Sequence, residues 1–193
     1  MQRSVLWLSA ALALGCSAAA SATATAPPVR AIWQKHSMDF GFVGFTTHYS
    51  CGGFEDKVDQ LLAAAGARSD AKTSAACMAP MGGPERISTA RLTFHVLVPA
   101  PATSGANGRG AARIVPAEWK TVHLLAHSLP GLGEGDCELV ERFAVRILPL
   151  FTVRDVHDNV NCVPQQVNLG SVDLKFRVLV AVPKKAHASP AQR

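Results

Sequence analysis

Residues 51–77 read CGGFEDKVDQLLAAAGARSDAKTSAAC, and residues 137–162 read CELVERFAVRILPLFTVRDVHDNVNC. Each stretch begins and ends with a cysteine and carries an apolar stripe at helical spacing after its first cysteine. An alternating strand pattern follows each stretch, RLTFHVLV at 91–98 and DLKFRVLV at 173–180. Because the cysteine pair, the helix and the strand recur in the same order, the sequence predicts two tandem copies of one unit.

Each predicted unit contains a strand, a helix and two further strands. The segments FVGFTTHYS (42–50) and EWKTVHLLA (118–126) are the predicted first strands, Gly66 ends the first helix, and Pro149 ends the second. The predicted fold class is therefore α+β, with two tandem β-α-β-β repeats whose helices pack on one face of a mainly antiparallel sheet. Since units of this size bury little apolar surface alone, we expect them to share one core.

Composition divides the chain into five segments. Residues 1–24 are predicted to be a signal peptide, because Arg3 precedes the apolar run VLWLSAALAL and the small residues of ASATATA. This run is too short for a transmembrane span. The two units occupy residues 36–100 and 118–183, the Pro/Gly/Ala-rich residues 101–117 connect them, and residues 184–193 are a predicted disordered tail. A small residue before the cysteine in LALGC (12–16) leaves a lipid anchor at Cys16 as the alternative.

Four further cysteines remain after export, and an even number in an oxidising compartment predicts two disulfides. Four cysteines permit three pairings. In a β-α-β unit, the strand after the helix climbs about as far as the helix descends, so its end returns to the start of the helix. This geometry predicts the pairs Cys51–Cys77 and Cys137–Cys162, one within each repeat.

Composition and motifs also restrict the function. The chain has 48% hydrophobic and 17% charged residues, which is typical of a folded protein. Its net charge of +5 is small and partly lies in the tail, which argues against a nucleic-acid binder. The zincin, Walker, dinucleotide-binding and Gly-x-Ser-x-Gly motifs are absent from the sequence. These features favour a non-catalytic protein that needs no cofactor.

His48 and Cys51 are the candidate catalytic pair, because a thiolate near a histidine at a helix start can be reactive. In a strand, however, side chains three residues apart point to opposite faces. The second unit has no histidine at the same spacing before Cys137. We therefore favour a structural disulfide and keep a periplasmic thiol-dependent enzyme or redox protein as the alternative.

A weak copper carrier is the second alternative. The chain has seven histidines, and Met78 and Met81 lie in a predicted loop. Thioether and imidazole groups suit copper. The sequence contains no Cys-x2-Cys pair and its histidines are scattered, so we predict no metal site.

A cationic sheet face is the candidate binding surface. If both helices cover one side of the sheet, the other side carries Arg91, His95, Lys175 and Arg177. Such a face could hold an anionic envelope component or a partner protein. An uncovered antiparallel sheet face is polar in any case, so solvation alone also accounts for these residues.

Three segments resemble a family of small secreted or periplasmic proteins of Gram-negative bacteria: GFTTHYSCGGFEDKVDQLLAAAGA, GDCELVERF and LPLFTVRDV. The resemblance covers residues 36–183 and brings no assigned activity and no site residues. It implies a periplasmic or secreted location, with an outer-membrane lipoprotein as the alternative. We expect an exported, non-catalytic binding or envelope-associated protein whose partner is an envelope component and not a nucleic acid.

Overall fold

The computed structural model describes residues 27–76, 83–101, 113–166 and 171–183. The described residues form six strands and two α-helices. In chain order these are β1 (Val29–Val43), α1 (Cys51–Ala64), β2 (Lys72–Ala76), β3 (Ile87–Pro99), β4 (Val115–Leu125), α2 (Cys137–Arg146), β5 (Val153–Asp158) and β6 (Asp173–Ala181). Short 3-10 helices at Glu134–Asp136 and Leu148–Leu150 flank α2.

The strands form one antiparallel sheet in the order β2-β3-β1-β4-β6-β5. The first half of the chain supplies β2-β3-β1 and the second half supplies β4-β6-β5. Only residues 29–31 of β1 pair with residues 115–117 of β4, so the two halves of the sheet join over a short stretch. The predicted α+β class with a mainly antiparallel sheet is confirmed.

The first strand differs from its prediction. The predicted strand at 42–50 is wrong, because β1 spans Val29–Val43 and begins before residue 36, where the first unit was expected to start. The chain turns at Gly44, where a Cβ would lie 2.1 Å from the carbonyl oxygen of Thr47. Between this turn and α1, Tyr49 forms an isolated β-bridge with Glu85.

One large core joins both helices to one face of the sheet. It contains the buried strand residues Phe40, Phe42, Leu92, Phe94, Val96, Leu124, Leu174, Phe176 and Val178 and the buried helix residues Phe54, Val58, Leu61, Leu62, Leu139, Val140 and Phe143. The strand residues are all even-numbered, as expected for side chains that share a face. Each fully buried side chain of this size contributes about 1.5–3 kcal/mol. The expectation of a shared core is confirmed.

A second, smaller core lies on the opposite face, where the two halves join. Its buried residues are Ala31, Leu97, Ala117 and Leu179. Trp33 and Trp119 pack against it and are partly buried. The Arg68 guanidinium lies 5.6 Å from the Trp33 ring, and the Arg154 guanidinium lies 4.0 Å from the Trp119 ring. Both halves therefore cover this core in the same way.

One of the two predicted disulfides lies within the described residues. Cys137 and Cys162 are bonded, with their Cα atoms 5.6 Å apart. Cys77 lies outside the described residues, so the pair Cys51–Cys77 stays a prediction. The sulfur of Cys51 lies 4.0 Å from the carbonyl oxygen of Ala75, near the end of β2 that leads to residue 77.

Candidate functional site

A groove with a volume of about 570 Å³ opens between the end of β1 and one flank of α2. This is within the size range of ligand pockets. Its lining residues are Gly41, Phe42, Val43, Phe45, Ile87, Glu138, Glu141, Arg142, Val145, Cys162 and Pro164. We call this feature the β1–α2 groove.

Large apolar side chains of the groove are exposed to solvent. The exposed fraction is 47% for Val43, 47% for Phe45, 57% for Ile87 and 61% for Val145. Single exposed apolar residues are common on proteins, whereas several around one concavity mark interaction sites. The groove is therefore the candidate binding site.

Glu138, in the first turn of α2, fixes the loop that carries Phe45. One carboxylate oxygen accepts hydrogen bonds from the backbone N–H groups of Phe45 (2.8 Å) and Thr46 (3.1 Å). The other oxygen accepts the Thr46 hydroxyl at 3.0 Å. Hydrogen bonds to a charged group contribute about 1.5–3 kcal/mol each. Glu138 thus holds one wall of the groove against the helix that forms the other.

The wall formed by β1 is a strand edge. The N–H of Gly44 donates to the carbonyl of Arg86 at 2.8 Å, so even-numbered residues of β1 bond to β3. The N–H and C=O groups of odd-numbered residues, including Gly41 and Val43, therefore point away from β3. Among the described residues, no strand pairs with β1 on that side beyond residue 31. The Nε of Arg142 donates to the Gly41 carbonyl at 3.2 Å.

The corresponding flank of α1 is covered. Counted from the first cysteine of each helix, Asp59 of α1 corresponds to Val145 of α2. Asp59 accepts a hydrogen bond from the Thr73 hydroxyl of β2 at 2.5 Å, and Glu55 accepts one from the Ala75 N–H at 2.7 Å. At this position the flank of α2 therefore carries an exposed apolar side chain, where the flank of α1 carries a carboxylate that bonds a neighbouring strand.

A buried polar cluster lies between the two halves. The Tyr49 hydroxyl donates to Asp136 at 2.6 Å, and Lys57 pairs with the other Asp136 oxygen at 2.5 Å. That oxygen also accepts the N–H of Gly133 at 2.6 Å, and Lys57 donates to the carbonyl of Gly131. Burial raises the pKa of Tyr49 far above its ordinary value, so its hydroxyl stays a hydrogen-bond donor. This arrangement is suited to joining the halves.

The predicted cationic residues lie on separate strands. Arg91 and His95 are on β3, Lys175 and Arg177 are on β6, and β1 and β4 lie between these strands. Carboxylates pair with three of them: Asp39 with Arg91 at 2.5 Å, Asp70 with His95 at 3.3 Å and Asp155 with Arg177 at 3.7 Å. The exposed Lys175 lies opposite His123 of β4. Three of the four predicted residues are therefore already paired with carboxylates of the fold.

His48 and Cys51 do not form a contact pair among the described residues. His48 is exposed and makes no hydrogen bond or ion pair with another described residue. Cys51 is the first residue of α1, after the capping residue Ser50, whose hydroxyl accepts the N–H of Gly53 at 3.2 Å. The thiol-chemistry hypothesis therefore gains no geometric support from this pair.

The described residues contain no group of three or more His, Cys, Asp or Glu side chains that could hold a metal ion. Met78 and Met81 lie outside the described residues. His123 and His127 are four residues apart, but His123 lies in β4, where it bonds Asp173 at 2.7 Å, and His127 lies in the following turn.

Comparisons with protein-family models, with curated proteins and with solved structures found no match for this chain. In the part of the chain that the structure describes, no helix has the length and apolar character needed to cross a membrane. The β1–α2 groove was missed by sequence reasoning. Its residues come from four separate segments and form no motif, so their shared exposure is visible only in the fold.

Proposed function

We propose that this chain is an exported, non-catalytic binding protein whose ligand occupies the β1–α2 groove. The observation that carries the proposal is the exposure of Val43, Phe45, Ile87 and Val145 around one concavity. Burying such side chains under a ligand is favourable, at about 25 cal/mol per Å² of apolar surface.

Two carboxylates at the start of α2, Asp136 and Glu138, are engaged within the fold, which favours a structural role for them over a catalytic one. Asp136 receives three hydrogen bonds within the fold, and Glu138 receives three. A catalytic acid or base must reach a substrate proton within hydrogen-bond distance. Carboxylates already occupied by internal donors are better suited to holding the structure.

The predicted signal peptide and the resemblance to secreted Gram-negative proteins support a periplasmic or secreted location. The Cys137–Cys162 disulfide agrees with this proposal, because such bonds persist in oxidising compartments. An envelope component is the proposed partner, and a lipid anchor at Cys16 stays the alternative form of the same protein.

Two tandem repeats are part of the proposal. The strand order β2-β3-β1-β4-β6-β5 supports it. In each half the third strand along the chain lies between the first and the second, and the two first strands, β1 and β4, meet in the middle of the sheet. The two aromatic–cation contacts support it further. Trp33 and Trp119 precede the first cysteine of their halves by the same interval, and Arg68 and Arg154 follow by the same interval.

The test is binding of an apolar fluorescent probe, N-phenyl-1-naphthylamine, to the exported form of the protein. Val145→Glu places a charge in the groove, and Val156→Glu places one on β5, where Val156 is 46% exposed and lies outside the groove. We expect the wild type and the Val156 variant to bind and the Val145 variant to lose binding at least tenfold. Equal binding by both variants, with unchanged circular dichroism, would overturn the proposal.

A further inference from the structure

We infer that the ligand of the β1–α2 groove is an extended apolar peptide that adds as a strand to the free edge of β1 and places a carboxylate at Arg142. This inference rests on the proposed function and names the ligand class of the same site. It follows from the backbone edge, the walls of the groove and the charges at its end.

The backbone edge supplies hydrogen bonds that an acyl chain or other apolar molecule would not use. Gly41 and Val43 direct their N–H and C=O groups away from β3, and no described strand pairs with them. The Gly41 carbonyl accepts the Nε of Arg142, so the Gly41 N–H and both backbone groups of Val43 are the ones offered to a ligand. An extended peptide satisfies such groups by adding a strand, about 4.8 Å from its neighbour. Unpaired strand edges are the usual template for this mode of binding.

The walls of the groove suit alternating side chains. Val43 and Ile87 are cross-strand partners and leave two exposed apolar side chains on the sheet side. Val145 supplies an exposed apolar side chain on the helix side. Since successive residues of a strand point in opposite directions, apolar residues of an added strand can contact both walls.

Arg142 offers a pairing site for one carboxylate. Among the described residues, no carboxylate lies within ion-pair distance of Arg142, whose Nε donates to the Gly41 carbonyl. Arg86 stacks over the Phe45 ring at 4.8 Å and likewise has no ion-pair partner in the described part of the chain. Glu138 and Glu141 also line the groove, and Glu138 keeps its charge while it accepts hydrogen bonds from neutral groups. The ligand carboxylate is therefore assigned to Arg142, and the rest of the ligand is uncharged.

The test is fluorescence anisotropy with an N-terminally labelled hexapeptide, Val-Thr-Val-Thr-Val-Asp, and two forms that are N-methylated at alternate residues. An added strand bonds β1 through one alternating set of amides only. We expect one methylated form to bind at least tenfold more weakly and the other to match the parent. With a C-terminal amide on every peptide, so that the Asp side chain is the one carboxylate, we also expect Arg142→Gln to weaken the parent peptide about fivefold or more. The same variant should leave the binding of the peptide Val-Thr-Val-Thr-Val-Asn unchanged.

Two results separate this inference from the proposed function. If the apolar probe binds in the groove but both methylated peptides bind like the parent, the ligand is not an added strand and only the inference fails. If neither the probe nor any peptide binds, both proposals fail. The Val156→Glu variant serves as the folding-matched control and should bind the parent peptide like the wild type.

Discussion

The Tyr49 hydroxyl donates a 2.6 Å hydrogen bond to Asp136, and this buried contact links the turn before α1 to the residue before α2. Lys57 of α1 completes the link through the second carboxylate oxygen. The contact matters for the groove because Glu138, two residues further along, holds the loop that carries Phe45. The cluster around Asp136 therefore fixes how the two halves, and the two walls of the groove, meet.

Removing Asp136 should destabilise the fold strongly. We expect Asp136→Ala to cost about 3–5 kcal/mol of unfolding free energy, because Lys57 loses its buried partner. Tyr49→Phe should cost less, about 1.5–3 kcal/mol, since it removes one hydrogen bond to a charged group. Urea unfolding of the non-reduced protein measures both.

The exposed pair Arg91–Asp39 provides the control. Its side chains are 64% and 71% exposed, so Arg91→Ala should cost no more than about 1 kcal/mol. An Asp136→Ala variant as stable as the Arg91→Ala variant would contradict the linking role of the cluster.

The ion pair of Arg68 and Asp70 should make stability depend on pH in the acid range. The hydrogen bond from Arg68 lowers the pKa of Asp70 to about 2, below its value in the unfolded chain. The pairing therefore stabilises the fold while the carboxylate is charged in both states, above about pH 4, and this contribution is lost as the pH falls toward 2. Asp70→Asn should lower the melting temperature at pH 6 and should match the wild type near pH 2. A constant difference at all pH values would refute this assignment.

The cysteines should all be blocked in the non-reduced exported protein. We expect peptide mapping to recover the pairs 51–77 and 137–162 and alkylation to label no thiol. Replacing Cys137 and Cys162 together with alanine should cost roughly 3–4 kcal/mol, from the loop that the bond closes. A Cys51 that alkylates rapidly near neutral pH would instead support the thiol-dependent alternative.

The smaller core should be as sensitive as the large one. Leu97 and Leu179 are each 1% exposed, although they point away from the helices. We expect Leu97→Ala and Leu179→Ala to cost about 2–5 kcal/mol each, as for other buried leucines. Val156→Ala on the exposed edge of β5 should cost less than about 0.5 kcal/mol. Costs for Leu97 and Leu179 as small as that for Val156 would show that this core contributes little.

The sequence predicted the class of fold because its periodic patterns are strong. The alternation in residues 91–98 and 173–180 and the stripes in both helices correspond to β3, β6, α1 and α2. The first strand was misplaced for a physical reason. Apolar residues continue past Gly44 through Phe45, but the tight approach of Thr47 at Gly44 ends the strand there. The first strand instead corresponds to the earlier residues, 29–43.

The candidate site could be predicted only in part. The alternating polar residues of β3 and β6 correctly lie away from the large core, but pattern alone does not give the order of the strands. Pattern also does not show that Arg91 pairs with Asp39 of the neighbouring strand β1. The groove arises because the flank of α2 lies beside the unpaired edge of β1, and this long-range relationship has no local sequence pattern.

The most direct test of the account is a nitrogen-15 chemical-shift titration of the exported protein with the apolar probe and then with the parent hexapeptide. We predict that both ligands shift the amide signals of Gly41, Val43, Phe45, Ile87 and Val145 and leave those of Trp33 and Trp119 unchanged. Shifts confined to Arg91, His95, Lys175 and Arg177, with the groove signals unchanged, would contradict the assignment of the groove as the binding site.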